Sequence, residues 1–403
     1  MTPGITSEDG ELRIRVMKGL VLSPARLGLL VAGLGLLFAI PDITLLSDSD
    51  PLQLSLFQDG LVFGLAAVGL NILLRHTGLV SFGHAAFFGT GAYTVALLVS
   101  KVGVQSLVVL LGSAVAVVTI LAALIGAFAV RYTGLYFALL TLAFGQVLFS
   151  IPQGVTYLGG SDGLNVKTGE TGVALAEQNV RIAGDLYATG SPATDTIVFW
   201  LSAVLVIVGL AAMYRIVRSP FGQALDAIGQ DRTRARFIGI PVRRYTFLAF
   251  LISGLYGGVA GAMYAVGKGS IDPGSTLQVF VSGDILFMTI LGGFGTLLGP
   301  LIGGLVFVNL SFIADSITLT GPAGTFPVGR LVTGLVLLLI VFGFPEGIVG
   351  SVRRGGAVYQ GGRNLVADPS ATVADWGRRA VDGVRDAASR SVTNVRVLLL
   401  GVK

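Results

Sequence analysis

Long apolar runs alternate with short polar segments over most of the chain, from residue 27 to residue 344. About 20 consecutive apolar residues are enough for an α-helix to cross the hydrocarbon core of a bilayer. The pattern therefore predicts an all-α fold, a polytopic transmembrane helix bundle with about ten crossings. The predicted crossings are Leu27–Ile40, Leu54–Leu74, Val80–Ser100, Val102–Val130, Gly134–Ile151, Asp195–Met213, Tyr245–Gly267, Gln278–Gly293, Pro300–Asp315 and Leu331–Phe344.

Two places in this pattern leave an alternative open. The first run could be a cleaved signal peptide, but it is followed by Pro41 and Asp42 rather than by small residues, so we expect it to be retained as a crossing. The turn at Gly292–Gly299 is short. The region 276–315 could therefore contain a re-entrant segment in place of two full crossings.

Positive charge predicts which side of the membrane each polar segment faces, because cytoplasmic loops carry an excess of Lys and Arg. Seven arginines lie between Arg215 and Arg244, whereas the loop at 152–194 holds only Lys167 and Arg181. We therefore expect a multi-pass cell-membrane protein with both termini in the cytoplasm. The segment at 152–194 is then an external loop, long enough to carry a small folded flap, and 215–244 is a cytoplasmic loop.

The two ends of the chain differ in composition from the middle. Residues 1–26 are polar and predict a cytoplasmic N-terminal segment, followed by a transmembrane domain over 27–352. In the tail at 353–403, apolar residues recur every three to four positions from Val373 to Val395, with arginines between them. This spacing predicts an amphipathic helix on the inner membrane surface. The alternative is an unstructured basic tail.

Composition supports a membrane protein and excludes several kinds of site. The chain is 53% hydrophobic and 12% charged, with a mean hydropathy of +0.83, whereas soluble domains carry about 25% charged residues. The 58 glycines indicate closely packed helices. With no cysteine and two histidines, the sequence predicts no disulfide, no metal site and no cofactor. The net charge of +5 is typical of cytoplasmic loops and does not indicate a nucleic-acid surface.

The stretch Gly78–Tyr93 is the most distinctive of the chain. It combines closely spaced glycines with polar side chains, namely Gly83, Gly89, Gly91, Ser81, His84 and Thr90. We expect the three glycines to lie where another helix or a pathway comes close. Ionisable groups within a membrane tend to face a cavity or a partner, so this stretch could line a pathway. Alternatively, His84 lies near the inner surface and only hydrogen-bonds locally.

Asp284 is the second candidate for a charge within the membrane. It follows Ser282 and Gly283 and precedes an apolar run, so its carboxylate needs a partner or water. The alternative is that a helix starts at Gly283, with the carboxylate at its positive N-terminal end. The complete set of candidate pathway residues is Ser81, His84, Thr90, Tyr93, Thr141, Ser282 and Asp284.

The charged interruption between two apolar blocks has the features of a docking element. Ser219 and Pro220 form a helix-start signal. We predict that Gly222–Phe237 is a short cytoplasmic helix that lies along the membrane and receives force from a partner protein. The alternative is an ordinary loop held near the lipid by its arginines. The chain has no ATP site of its own, since Gly261–Gly269 lacks the glycine spacing and the Ser or Thr of a P-loop.

Several of these stretches resemble the permease subunits of ABC importers for branched-chain amino acids, and more closely the second of their two paired permeases. The matching pieces run in the family's order over roughly 61–350: Gly78–Tyr93, Tyr136–Gly145, Gly159–Leu164, Ser219–Ile240, Gly254–Tyr264, Ser282–Gly299 and Phe344–Gly350. The permeases of urea importers are similar over the same pieces. The resemblance implies that 27–352 is a permease domain, a transport subunit rather than an enzyme.

The resemblance also implies partners and a coupling site. The partners are cytoplasmic ATP-binding subunits, a second permease subunit, an external solute-binding protein and the lipid bilayer, with no nucleic acid. The candidate residues for ATPase coupling are Gly222, Ala224, Ala227, Arg234, Ala235 and Gly239. Related importers tend to have an acidic residue and alanines before the glycine of this loop, whereas this chain has Arg234-Ala-Arg-Phe-Ile before Gly239.

Two other function classes are weighed against this interpretation. An ion-coupled secondary transporter would use buried carboxylates or broken-helix ion sites, and this chain has few acids within its predicted crossings. A membrane enzyme would need clustered acid, base, nucleophile or metal ligands. The sequence shows no such cluster, so we predict no catalytic residue.

Overall fold

The computed structural model describes residues 5–8, 11–17, 20–22, 52–104, 106–166, 192–316, 318–321, 324–327, 329–343 and 347–353. Three predicted features lie outside these residues. They are the first crossing at 27–40, most of the external loop (167–191), and the amphipathic helix of the tail.

Helices make up most of the described chain, as the apolar runs predict. The first five helices are α1 (Leu52–Thr77), α2 (His84–Leu97), α3 (Leu107–Ala129), α4 (Leu135–Gly154) and α5 (Pro192–Arg218). They are followed by α6 (Pro220–Gln230), α7 (Arg232–Phe237), α8 (Val242–Lys268), α9 (Pro273–Thr276), α10 (Val279–Gly292), α11 (Gly299–Asp315), α12 (Gly329–Gly343) and α13 (Gly347–Arg353). A π-helical turn, Leu98–Val102, extends α2.

Seven of the described segments are long and apolar enough to cross a membrane. They are Leu54–Thr77, His84–Val102, Leu107–Ala129, Leu135–Gly154, Thr196–Arg218, Val242–Lys268 and Pro273–Gly292. The helices α11 and α12 are apolar but shorter. Each predicted crossing from residue 54 onward coincides with one of these segments, which confirms the polytopic all-α fold. The boundaries differ by a few residues: α2 begins at His84 rather than at Val80, and α3 begins at Leu107 rather than at Val102.

The core of the bundle is built around α1. This helix packs against α8, α11, α5 and α10, while α2 lies between α8 and α3. Aromatic side chains fill the contacts between these helices. Phe63 of α1 stacks on Phe88 of α2 with ring centroids 4.8 Å apart, and Tyr264 of α8 packs against both rings. A second group places Phe87 and Phe137 edge-on to Phe250.

The region 276–315 forms an antiparallel helical hairpin. Close backbone contacts at Gly292–Gly299 and at Met288–Gly303 join α10 to α11. The 14 residues of α10 span about 21 Å, less than the roughly 30 Å of a hydrocarbon core. The short helix α9 precedes α10 and lengthens this arm. Whether the hairpin crosses the bilayer or re-enters it stays a prediction.

Strands are few and short in the described chain. Strands β1 (Ile5–Glu8), β2 (Glu11–Met17) and β3 (Leu20–Leu22) form an antiparallel sheet. In the segment predicted to be external, β4 (Leu164–Asn165) pairs with β5 (Ser270–Ile271), with Leu164 opposite Ile271. This pairing ties the start of the loop to the end of α8. Near the C-terminal side, β6 (Thr318–Gly321) and β7 (Gly324–Pro327) form a hairpin.

Candidate functional site: a helix break and two docking helices

The chain leaves helical geometry between α1 and α2, at residues 78–83. Gly78 has a φ of +66°, and the N–H of Leu79 donates to the carbonyl of Leu73 at 3.2 Å. A left-handed glycine commonly ends a helix. The bond from Leu79 reaches six residues back, one residue further than the bond of a Schellman motif. The helix α2 does not begin until His84, so backbone groups of 78–83 need partners outside a helix.

Polar side chains from two other helices supply those partners. The hydroxyl of Ser282 on α10 accepts from the N–H of Ala85 at 2.8 Å, and Thr141 on α4 accepts from the N–H of Phe82 at 3.2 Å. Ser81 accepts from the N–H of Gly83 at 3.4 Å. All three hydroxyl-bearing residues are buried. The three hydroxyls thus serve as acceptors for N–H groups at and just before the buried start of α2, where no helical carbonyl is available.

His84 is fully buried and connects α2 to α8 and α1. Its Nε2 lies 2.9 Å from the hydroxyl of Ser253, and that hydroxyl donates to the carbonyl of Gly69 at 2.5 Å. The Ser253 hydroxyl has one proton and donates it to Gly69, so in the contact with His84 it accepts. Nε2 of His84 is then the protonated nitrogen that donates, and Nδ1 is unprotonated. Nδ1 has no hydrogen-bond partner among the described residues. Since Ser253 and Gly69 belong to other helices, the alternative of purely local hydrogen bonding is wrong.

The helix break lies deep within the bundle. Ser253 is 11 residues beyond the start of α8, a rise of about 16 Å, which is about half the thickness of a hydrocarbon core. The three glycines of this stretch lie at close contacts, as predicted: Gly83 against the backbone of Thr141, Gly89 against Leu277, and Gly91 against the backbone of Gly258. The non-helical backbone is therefore shielded by protein on several sides.

The remaining pathway candidates lie elsewhere in the bundle. Thr90 is half-buried and donates to the carbonyl of Ala86 at 2.6 Å, and Tyr93 is buried with a hydroxyl that has no partner among the described residues. Asp284 is half-buried and makes no hydrogen bond or ion pair within the described chain, although Arg330 of α12 acts on it electrostatically. The alternative that a helix starts at Gly283 is wrong, because α10 begins at Val279.

The predicted docking helix is two helices rather than one. The helix start is confirmed, since the hydroxyl of Ser219 accepts from the N–H of Gly222 and Pro220 is the first helical residue. The prediction of one helix over Gly222–Phe237 is wrong. Asp231 has an extended backbone and caps α7 by accepting from the N–H groups of Thr233 and Arg234 at 2.9 and 3.1 Å. An aspartate is a strong N-cap, so it starts a new helix at this point.

Both docking helices are attached to the C-terminal end of α1. Asp226 of α6 lies 2.5 Å from Nδ1 of the buried His76, and Arg232 of α7 donates to the carbonyl of Thr77 at 2.9 Å. Gly229 approaches the backbone of His76, where an added Cβ would lie 2.7 Å from its carbonyl oxygen. Arg232 therefore places a positive charge at the negative end of the α1 dipole. These contacts join α6 and α7 directly to the central helix of the bundle.

The junction of the two helices contains two groups with shifted pKa values. The N–H groups of Arg234 and Thr233 hold the pKa of the Asp231 carboxyl below its usual range, because they stabilise the charged form. Burial lowers the pKa of the Arg232 guanidinium, which still remains protonated at physiological pH.

The coupling candidates occupy different faces of this two-helix unit. Gly222 and Ala235 are buried, Ala224 and Ala227 are half-buried, and Arg234 and Gly239 are exposed. Gly239 has a φ of +88° and reverses the chain before α8, as predicted. Sequence reasoning missed Phe237 and Ile238, which are 86% and 74% exposed at the end of α7. The sequence did contain a signal for this exposed apolar pair, because Phe237 and Ile238 directly follow an arginine-rich segment.

Comparison with known proteins identifies the family. The model of the family described as branched-chain amino acid transport system, permease component, matches residues 53–341, well over half of the chain. No solved structure matches the chain. The matched region includes the helix break, both docking helices and the α10–α11 hairpin.

Curated relatives agree with the family at the level of sequence. The chain is 27% identical over 261 residues to the high-affinity branched-chain amino acid transport system permease protein LivM of Escherichia coli, covering 62% of this chain and 60% of that protein. LivM of Salmonella typhimurium is likewise 27% identical over 259 residues, with the same coverage. The autoinducer 2 import system permease protein LsrC of Klebsiella pneumoniae is 28% identical over 143 residues, 34% of this chain and 41% of that protein. The chain thus spans about 60% of the length of the LivM proteins. It belongs to the family of permease components of branched-chain amino acid transport systems.

Proposed function

We propose that this chain is the membrane-spanning permease subunit of an ABC importer that carries branched-chain amino acids. The observation that carries the proposal is the unit formed by α6 and α7. It is a pair of short polar helices fixed by side-chain bonds to the end of the central helix α1, in a chain of the permease family. The LivM relatives favour branched-chain amino acids as the substrate. The other relatives, named for autoinducer 2 and for nucleosides, match about a third of the chain or slightly more.

The ATPase subunit is proposed to dock on α6 and α7. Their outer surface presents exposed positive charge at Arg234 and exposed apolar side chains at Phe237 and Ile238. Gly222 and Ala235 pack the two helices onto the bundle, Ala224 and Ala227 lie at the edge of the contact, and Gly239 sets the direction of the return to α8. Nucleotide-driven movement of the ATPase would then move α1 through His76 and Thr77 as a rigid body.

The substrate path is proposed to run beside the helix break. Ser81, His84, Thr141 and Ser282 hold the break in place from inside the bundle, whereas Asp284, Thr90 and Tyr93 lie on helices that border it. A break in mid-membrane gives α2 a point about which it can pivot against α4 and α10. In this proposal the first group controls the shape of the path and the second group contributes polar surface to it.

The complete importer is proposed to contain a second permease subunit, two ATP-binding subunits and an external solute-binding protein. Both termini are placed in the cytoplasm, with 1–26 as an N-terminal segment, 27–352 as the permease domain and 353–403 as a cytoplasmic tail. Reporter fusions at Gly163 and Gly355 test the orientation. Signals from the same side of the membrane at both positions would contradict it.

The test of function is transport by the assembled complex in proteoliposomes. With its ATPases, partner permease and binding protein, the complex is expected to accumulate leucine only when ATP is present, and to accumulate urea no faster than protein-free vesicles. Uptake of urea instead of leucine would retain the importer and change its substrate. Uptake by this chain alone, driven by a sodium or proton gradient, would contradict the importer and favour a secondary transporter.

A further inference from the structure

One face of α4 combines exposure with polarity in the middle of a membrane span. Its exposed residues include Leu139, Ala143, Gln146, Ser150 and Gln153, which recur every three or four positions and therefore form one stripe along the helix. Gln146 is the twelfth of the 20 residues of α4, close to the centre of the span. We call these five residues the α4 stripe. None of them was a candidate from the sequence.

The exposed faces of two neighbouring spans have a different composition. On α3 the exposed residues are all apolar, for example Val108, Val117, Ile120, Leu124 and Phe128. On α5 the exposed residues from 196 to 212 are likewise apolar. These faces suit contact with lipid, since hydrocarbon satisfies no hydrogen bond. The α4 stripe therefore differs from these lipid-compatible faces, because it carries exposed polar side chains.

The side chain of Gln146 carries most of this argument. Ser150 donates to the backbone carbonyl of Gln146 at 2.9 Å, so its own proton is satisfied within the helix. The amide of Gln146 has two donor hydrogens and one acceptor oxygen, and it makes no hydrogen bond among the described residues. An amide left in hydrocarbon without partners is strongly disfavoured. Gln146 is therefore expected to meet water, a polar solute or a polar group of another subunit in the working protein.

A second observation on a neighbouring helix points the same way. Asp284 of α10 lies on a half-exposed surface close to the middle of the span Pro273–Gly292, and it has no hydrogen bond or ion pair within the described chain. The helices α10 and α4 are in contact. Each also contributes one buried hydroxyl to the helix break, from Ser282 and Thr141, on a face different from the one that bears Asp284 or Gln146.

We propose that the α4 stripe lines the water-filled path through which the solute crosses, and that Asp284 on the contacting helix α10 faces the same path. The proposal rests on the proposed transport function and adds the chemistry of its lining. No residue of α4 is charged, and along the stripe Leu139 and Ala143 are followed by the amides and hydroxyl of Gln146, Ser150 and Gln153. Such a surface suits a solute without net charge that has both hydrogen-bonding groups and an aliphatic part.

The chain contains no cysteine, so single cysteines can be placed in it without prior substitutions. Gln146→Cys and Ser150→Cys probe the α4 stripe, and Ile120→Cys on the apolar face of α3 is the matched control. Each variant is assembled with its ATPases and partner subunits and treated with a charged, membrane-impermeant methanethiosulfonate. A thiol facing lipid has a raised pKa and little thiolate, so Gln146→Cys is expected to react at least about tenfold faster than Ile120→Cys. Leucine added with ATP is expected to slow that reaction.

Equal labelling rates at Gln146→Cys and Ile120→Cys would overturn the proposal. So would disulfide formation between two copies of Gln146→Cys, because a second permease would then cover the stripe. If Gln146→Cys fails to assemble, Ser150→Cys gives the same readout one turn further along. Uptake by the unsubstituted complex is measured in parallel. Its failure would count against the transport function, while fast labelling at Gln146→Cys would still support an aqueous lining.

Discussion

Replacing Gly91 by alanine tests a close backbone contact between two membrane helices. A Cβ at Gly91 would overlap the carbonyl group of Gly258 on α8, well inside ordinary van der Waals distance. The obstructing atoms are backbone atoms, so no side-chain rotation can relieve the overlap. The helices α2 and α8 must move apart, which also disturbs the contact between the rings of Phe88 on α2 and Tyr264 on α8.

The expected loss follows from this geometry. Overpacking in a close-packed core typically costs about 1–3 kcal/mol, and a backbone obstruction on a long helix pair places Gly91→Ala towards the upper end. The loss is partly offset by the better helix propensity of alanine, worth up to about 1 kcal/mol. We therefore expect a lower thermal-unfolding midpoint for the purified protein in detergent, with reduced leucine uptake.

Gly112→Ala is the matched control, because it makes the same chemical change on a neighbouring helix. A Cβ at Gly112 meets no atom within 4 Å, and the residue is exposed on α3. It should retain or slightly raise the unfolding midpoint. Gly89→Ala should be intermediate, since its nearest obstruction is the flexible side chain of Leu277. If Gly91→Ala and Gly112→Ala had equal midpoints, the close approach of α2 and α8 would be refuted.

Four further outcomes are expected. Arg232→Ala leaves the end of α1 without its donor and should reduce ATP-driven uptake several-fold, whereas Arg131→Ala, an exposed change just after α3 and outside α6 and α7, should not. Gly239→Val forces a β-branched residue to a φ of +88°, which costs about 1–2 kcal/mol, so uptake and transport-stimulated ATP hydrolysis should fall while solute affinity of the binding protein is unchanged. The pKa of the Asp231 carboxyl is lower in the folded protein than its unfolded-state pKa of about 4, so its cap on α7 is fully present above about pH 4 and is lost as the pH falls through the folded-state pKa. Amide hydrogen exchange in α7 should therefore rise at that low pH. Asp231→Asn should abolish this pH dependence. Ser282→Ala leaves a buried N–H unpaired and should lower stability by about 1–3 kcal/mol, measured as an unfolding midpoint; an unchanged midpoint would mean that water or another group replaces the hydroxyl.

The positions of the helices could be predicted from the sequence because each crossing is a local, continuous apolar run. The start of α6 was also predictable, since Ser219 and Pro220 form a local capping signal. The interruption at Asp231 also had a local signal, an aspartate just before Arg232-Thr-Arg. The sequence analysis nevertheless treated the whole charged segment as one helix. Capping by Asp231 prevails because it satisfies two N–H groups at once.

The roles of the buried hydroxyls could not be predicted from any local pattern. Thr141 is 59 residues from Phe82 and Ser282 is 197 residues from Ala85, and only the packed bundle brings these pairs together. The sequence identified Ser81, His84, Thr141 and Ser282 as polar residues in apolar runs, but it could not tell an inward from an outward face. For the same reason it missed Gln146, whose importance depends on exposure.

The helix break also constrains how the protein is made. The ribosome adds about 5–20 residues per second, so Ser282 is synthesised roughly 10–40 seconds after Ala85, to which it will bond. Until then, the unwound backbone between Thr77 and His84 lacks part of its native hydrogen bonding, and bare lipid cannot substitute for it. We therefore expect a newly synthesised α2 to stay in contact with the insertion machinery or a chaperone until α10 has been synthesised. Shortening or slowing synthesis between these two helices would then alter the yield of inserted protein without changing any contact of the finished fold.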